Sequence, residues 1–396
     1  MNIYPRLAIR ISLLMSLILG LTLLSTRMQA DTDTCGGASV TLPFTDVAAG
    51  NVFFCSIAEA FFSGLSNGTS PTTYSPAANV PREQMAAFVT RTMDQSLKRG
   101  SRRASLRQWW TPTSPDGLAL TTVGIVPALV ESDGADLWVP NNGDGTVSRV
   151  RASDGKLLET WTAATSGVGV LVAKGRIFVT GNTTPGKLYQ IDPTQTAGAV
   201  TMLTSSLGSM PAGIVFDGAR IWTANQSGSI SIVTLNPLAV ATVTMGFSGP
   251  VGIIFDGANI WVTDRGDNSL KKLDSAGNIS QTVTMGDSPA FPVFDGTNIW
   301  VSCLNSNSVT VVRASTGIVL ATLTGNGLSA PFQAAFDGER IMVTNQDGGV
   351  VSLWKASDLT PLGFVSTGAN SQPVGVCSDG LNFWISLSAT NKLARF

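Results

Sequence analysis

The chain has no histidine in its 396 residues. Histidine is the usual neutral-pH general base and the commonest transition-metal ligand, so Ser-His-Asp, Cys-His and His-metal chemistries are all excluded. Charge is scarce too: only 13% of residues are Asp, Glu, Lys or Arg, and the formal net charge is −1. Outside one short stretch there is no basic block, so the electrostatic footprint of a nucleic-acid binder is missing. The hydrophobic share, 43%, is too high for a disordered polymer. The length suits about two domains.

The N-terminus carries an export signal. Arg6 and Arg10 precede an apolar run over 11–24, and Ala30 closes the segment before an acidic DTDT. That order reads as a secretory signal peptide over 1–30. The run is shorter than the roughly 20 apolar residues a membrane-spanning helix needs. The expectation is an extracytoplasmic protein, secreted or associated with the cell envelope, with no transmembrane span after cleavage. Cleavage removes three Arg and no acid, leaving 22 basic and 26 acidic groups, a net of −4. In an oxidising compartment Cys35 and Cys55 can bridge, closing a loop worth roughly 3 kcal/mol, with two free thiols as the alternative. Cys303 and Cys377 fall in different repeats and read as single buried small residues.

Internal repeats decide the fold class. An anchor of Asp-Gly, two residues, an apolar residue and an aromatic recurs as DGADLWV, DGARIWT, DGANIWV, DGTNIWV, DGERIMV and DGLNFWI, with a degenerate AKGRIFV at Ala173. Its glycines stand at 134, 175, 218, 257, 296, 338 and 380, spaced by 39 to 43 residues. Asp-Gly between Val-, Ile-, Thr- and aromatic-rich runs marks β-hairpins, and four short strands per repeat describe a propeller blade. The predicted fold is all-β, a seven-bladed β-propeller over 116–396. The last repeat lacks a fourth strand, and 118–123 supply it, so an N-terminal strand is expected to close the ring. The anchor residues Trp138, Phe178, Trp222, Trp261, Trp300, Met342 and Trp384 read as packing between blades rather than as a stacking stripe.

These repeats resemble the seven-bladed propellers of the YVTN, NHL and streptogramin-lyase-like group. Streptogramin lyases imply a catalytic histidine and magnesium, which a histidine-free chain does not carry over. Gluconolactonase-like propellers imply a divalent metal held by Glu, Asn and Asp, and here only Glu131, Glu159 and Glu339 supply Glu in the propeller.

Propeller sites usually sit on the face shared by the second-to-third-strand turns and the blade-to-blade crossings. That face offers Asn141, Asn225, Asp264, Arg265 and Asn345, beside Asn142, Gln226, Asp267, Asn305, Gln346 and Asp347. Amides with a few carboxylates suit a polar ligand or a hard cation such as calcium or magnesium, although no cofactor is required. The competing reading is that Asn, Asp and Gly are what tight turns select. Glu131 stands where other repeats have Val215, Ile254, Val293, Ala335 and Cys377. It is a candidate channel carboxylate, or a strand-end residue reaching solvent.

Residues 31–97 differ, with two helical patterns, CSIAEAFFSGL and REQMAAFVTRTMDQSL. In the second, Met85, Phe88, Val89 and Met93 share one face. Phe44 and Asp46, the run at 64–68, Tyr74-Ser75-Pro76 and the run at 80–84 resemble, in order, the motifs of an S-layer homology (SLH) module. The resemblance implies contact between Arg82 and an anionic cell-wall polymer, although that family generally carries three modules and this chain one. A basic linker over 98–115, ending past Trp109 and Trp110, joins module to propeller. The functional expectation is an exported, envelope-associated binding or scaffold protein whose module docks to an envelope polymer and whose propeller face takes a polar ligand or protein. The alternative is a secreted metal-dependent lyase or lactonase.

Overall fold

The computed structural model describes residues 31–35, 38–62, 65–99 and 119–396. The expected signal peptide, most of the basic linker and its two tryptophans lie outside the described residues. The chain divides into two units between Gln95 and Ser96. No helix among the described residues is long and apolar enough to cross a membrane.

In the first unit, β1 (Thr32–Cys35) and β2 (Ala38–Thr41) pair antiparallel, and α1 (Phe54–Phe62) is tied to β1 by the Cys35–Cys55 disulfide. Leu42, Phe44, Val47, Phe54 and Ile57 form its small core. Asp46 links two of the expected motifs, its carboxylate accepting the Tyr74 and Ser75 amides at 2.8 and 2.7 Å. The helix α2 (Arg82–Arg99) keeps Met85 and Val89 exposed, so the apolar face read from the sequence is not packed away at these positions.

The second unit is a β-propeller. Strands pair into four-stranded antiparallel meanders over 131–161, 167–207, 211–243, 250–284, 289–324 and 331–366, and the strands of 373–395 are completed by β3 (Ala119–Thr122). β3 pairs with the C-terminal strand, Ala119 opposite Arg395 and Thr122 opposite Lys392, which supplies the missing fourth strand. The innermost strands neighbour one another in order, and the last neighbours the first.

Each meander turns at its anchor glycine, and all of these glycines have φ between 69° and 99°, a conformation open to glycine at little cost. The Asp beside it turns inward. Asp256 accepts the backbone amides of Ala258 and Asn259 at 2.8 and 2.6 Å and the Trp261 indole N–H at 2.7 Å. The same carboxylate-to-indole bond holds Trp138, Trp222, Trp300 and Trp384 at 2.6 to 2.9 Å. The indole then fills the gap to the next sheet. Trp222 packs on Ile253 and Ile260, Trp261 on Ile299 and Val301, Trp300 on Ile341 and Val343, and Trp384 on Leu137 and Val139 of the first sheet. Burial pushes the Asp256 carboxyl up, but the Trp261 indole and the Asn259 and Ala258 amides outweigh it and hold the acid below its ordinary value.

Asp256→Ala strands the indole donor of the buried Trp261 and removes the acceptor of two amides on a solvent-facing turn. We expect a stability loss of about 3 kcal/mol, read as a lower urea midpoint at unchanged m-value. A loss below about 0.5 kcal/mol would show that the bond does not hold the sheets together.

Candidate functional site

The central channel is lined by the first strand of every meander. In six of them, from Gly167 onward, pairing with the second strand slips between the first and fourth residues, a β-bulge next to the channel. A hydroxyl of the second strand spans the gap. Thr263 accepts the Gly252 amide at 2.9 Å and donates to the Ala290 carbonyl of the next sheet at 2.6 Å. Thr180, Thr344 and Ser386 bridge likewise to Ala212, Val374 and, closing the ring, Ala128. Gly252 is required here because a Cβ would stand 2.6 Å from the Ala290 carbonyl oxygen.

Mid-channel, Leu129, Phe291 and Phe332 fill the bore together with smaller apolar residues. The two ends therefore have separate chemistries.

At the crossing face, the residue after each second strand donates its amide to a crossing carbonyl: Asn142 to Val126, Asn182 to Ser166, Gln226 to Met210, Arg265 to Gly249, Leu304 to Ser288, Gln346 to Ala330 and Ser388 to Gln372. Six of those seven acceptors are non-glycine residues at positive φ, between 50° and 58°. Such backbone strain persists only where the surroundings enforce it, and it collects at ligand sites. The side chains of Asn142, Asn182, Gln226, Gln346 and Ser388 line a mouth of about 350 Å3. Beside it in the ring, Arg265 donates Nε to the Pro289 carbonyl at 3.3 Å and lies 5.7 Å from the Phe332 ring, while its buried Nη2 has no partner among the described residues. Burial lowers the Arg265 pKa.

Four residues expected at this mouth sit one position too early in the chain. Asn141, Asn225, Asp264 and Asn345 end their second strands and are fully buried, so they hold the turns rather than face a ligand. Asn225 donates to Ser229 and Ser231 at 3.1 and 3.0 Å, Asn141 to Thr146 and Ser148, and Asn345 to Ser352. Asp264 accepts the Ser248, Gly249 and Gly266 amides and the Lys271 ammonium, the last at 2.6 Å. Burial pushes the Asp264 carboxyl up, but Lys271 and these amides hold it below the ordinary carboxylate range. Lys271 also pairs with Asp267 at 2.6 Å. Asn305 and Asp347 are exposed on their turns. Asn182, Gln372 and Ser388 were missed. Aligning the position that follows each second strand would have found Asn182 and Ser388.

The opposite end, toward the Asp-Gly turns, is a cavity of about 320 Å3 whose wall mixes aliphatic side chains with Gln333, Ser378 and backbone polar groups and carries one carboxylate, Glu131. Burial alone pushes its carboxyl up to about 7. Glu159 instead lies on an outer strand, 3.4 Å from Arg149, and Glu339 on an Asp-Gly turn. No three His, Cys, Asp or Glu side chains among the described residues come together as a metal cluster. Cys303 and Cys377 are buried free thiols, both with pKa values raised by burial.

No family model matches the chain, and no curated protein matches it. Solved structures do. A streptogramin B lyase superposes with a TM-score of 0.59 at 16% identity, covering 70% of this chain and 97% of its own. Virginiamycin B lyase from Staphylococcus aureus gives 0.58 at 16%, covering 70% and 99%, and hydrazine synthase of Kuenenia stuttgartiensis 0.58 at 17%, covering 73% and 98%. At such identities the likeness establishes the β-propeller fold and no activity.

Two predictions follow from the charges. Asp264→Ala leaves buried Lys271 with the Gly246 carbonyl and the exposed Asp267 alone and should cost about 3 kcal/mol, whereas Arg265→Ala, losing one backbone bond, should cost about 1 kcal/mol. Because the folded Asp264 pKa is depressed, its contribution is present above the unfolded carboxylate pKa and is lost as pH falls through the folded value. Glu131 has the opposite sign. Its ionisation burdens the folded state as pH rises from the unfolded value toward about 7. Glu131→Gln should therefore stabilise the fold at about pH 8 by at most about 3 kcal/mol, read as a higher melting temperature, and change nothing near pH 4. Scanning calorimetry at the two pH values checks both signs.

Proposed function

We propose that this is an exported, envelope-associated binding protein, a seven-bladed propeller whose crossing-face mouth takes a polar ligand bearing an anionic group. The observation that carries the reading is the unpartnered Arg265 guanidinium nitrogen beside a ring of neutral amides that contains no carboxylate. A guanidinium with free donors matches the geometry of a carboxylate or phosphate, and amides add orientation without net charge. The Asp once placed among the ligands is consumed by Lys271, which turns the expected preference from a hard cation to an anion. On this reading Arg82, exposed at the first position of α2, contacts an anionic wall polymer from an SLH-like module, and the chain is targeted outside the cytoplasm by residues 1–30. No nucleic acid is involved, and no cofactor takes part.

The alternative, a secreted metal-dependent lyase or lactonase, has the shared propeller fold in its favour. Its carboxylates would have to converge, and Glu131, Glu159 and Glu339 stand at three separate places.

Thermal shifts with carboxylated and phosphorylated saccharides test the mouth. A rise abolished by Arg265→Ala supports it. A rise with Ca2+ or Mg2+ alone, about 2.7 kcal/mol at a hundredfold excess over Kd, favours the alternative. For the module, the mature chain should sediment with envelope fragments, less so as salt rises or with Arg82→Ala. A chain that stays in the supernatant at low salt has no anchoring role.

A further inference from the structure

The channel's other end has a binding chemistry of its own, independent of the mouth reading. Among the equivalent first-strand positions, Val215, Ile254, Val293, Ala335 and Cys377 are apolar or neutral, and only Glu131 is ionisable as a carboxylate. Nothing in the fold demands it, since its neighbours show that a plain aliphatic residue fills the place. The Glu131 carboxylate has no hydrogen bond or ion pair among the described residues, and the only other titratable side chain on the cavity wall is the Cys377 thiol. Asp133, two residues on, spends its carboxylate on Trp138 and the turn amides. Glu131 is not sealed off, because it and Val215, Ile254 and Val293 are each partly exposed along the bore. A solvent-reached cavity that sets aliphatic side chains beside one uncompensated carboxylate suits a particular class of guest.

We propose that the turn-face cavity binds a small organic ammonium ion, its cation paired with Glu131 and its hydrocarbon part against the aliphatic wall. The pair supplies the counter-charge that the protein itself withholds, and the partial burial of Glu131 strengthens the contact. The volume of about 320 Å3 admits a small guest of about six carbons and excludes polymers. Inorganic cations are disfavoured because one carboxylate replaces too little of their hydration shell. Ionised Glu131 is needed, and burial holds its acid at about 7, so capture strengthens as pH rises through neutrality. Alkylammonium probes stay charged throughout that range.

The test is calorimetric titration of the mature chain with n-hexylammonium chloride and, in parallel, with n-hexanol. The ammonium should bind at least about tenfold more tightly than the alcohol near pH 8, and that advantage should shrink several-fold near pH 5. Glu131→Gln should erase the advantage while leaving alcohol binding unchanged, and Arg265→Ala should leave both unchanged. Equal binding of ammonium and alcohol, absence of binding by either, or an ammonium preference that survives Glu131→Gln would overturn the proposal. None of these outcomes bears on the crossing-face mouth.

Discussion

The bond from an anchor carboxylate to a tryptophan indole sets most of this architecture. One Asp satisfies two amides of its own tight turn and the Nε1–H of a side chain five residues on, so local turn chemistry fixes the rotamer of the residue that fills the space between sheets. Where the pattern breaks, the exceptions follow donor accounting. Phe178 needs no acceptor and its anchor has no Asp, and Met342 needs none either. In that sheet the freed carboxylate of Asp337 takes Arg340 instead, at 2.8 Å, and the guanidinium lies 5.0 Å from Phe383 of the following sheet. A buried cation thus does between these sheets what an indole does elsewhere, because both present a flat face and an N–H that must be satisfied.

The bulge beside the channel has a second consequence. It brings a hydroxyl across to the neighbouring sheet's carbonyl, and it ends the second strand on a residue turned into the blade. The residue that follows turns to the mouth. Side chains one position apart therefore have unrelated roles, Asp264 as a buried turn clamp and Arg265 as a largely buried cation with one unpartnered nitrogen. With an apolar plug between them, the two channel ends hold opposite charges, an unpaired Arg265 at one and an unpaired Glu131 at the other. The plug keeps the two charges apart, so on the readings proposed above each end takes a guest of the opposite sign.

Repeat spacing, strand character, the closing strand and the packing role of the anchor aromatics were all legible in the sequence, because each rests on local turn preference and on apolar alternation, which are written residue by residue. The chemistry of Glu131 was half legible, as the odd member of an aliphatic column. Which polar residues reach the mouth was not. Asn345 and Gln346 are both amides, and only the bulge, which depends on pairing with a neighbouring strand, decides which one is buried. Likewise the sequence contains Asp264 and Lys271 seven apart, but their pairing follows from two strands meeting across a hairpin, and with it the sign of the charge left at the mouth. The sequence determined the fold through short-range repetition. The tertiary structure decided the site, because burial and pairing are properties of neighbours that lie far apart along the chain.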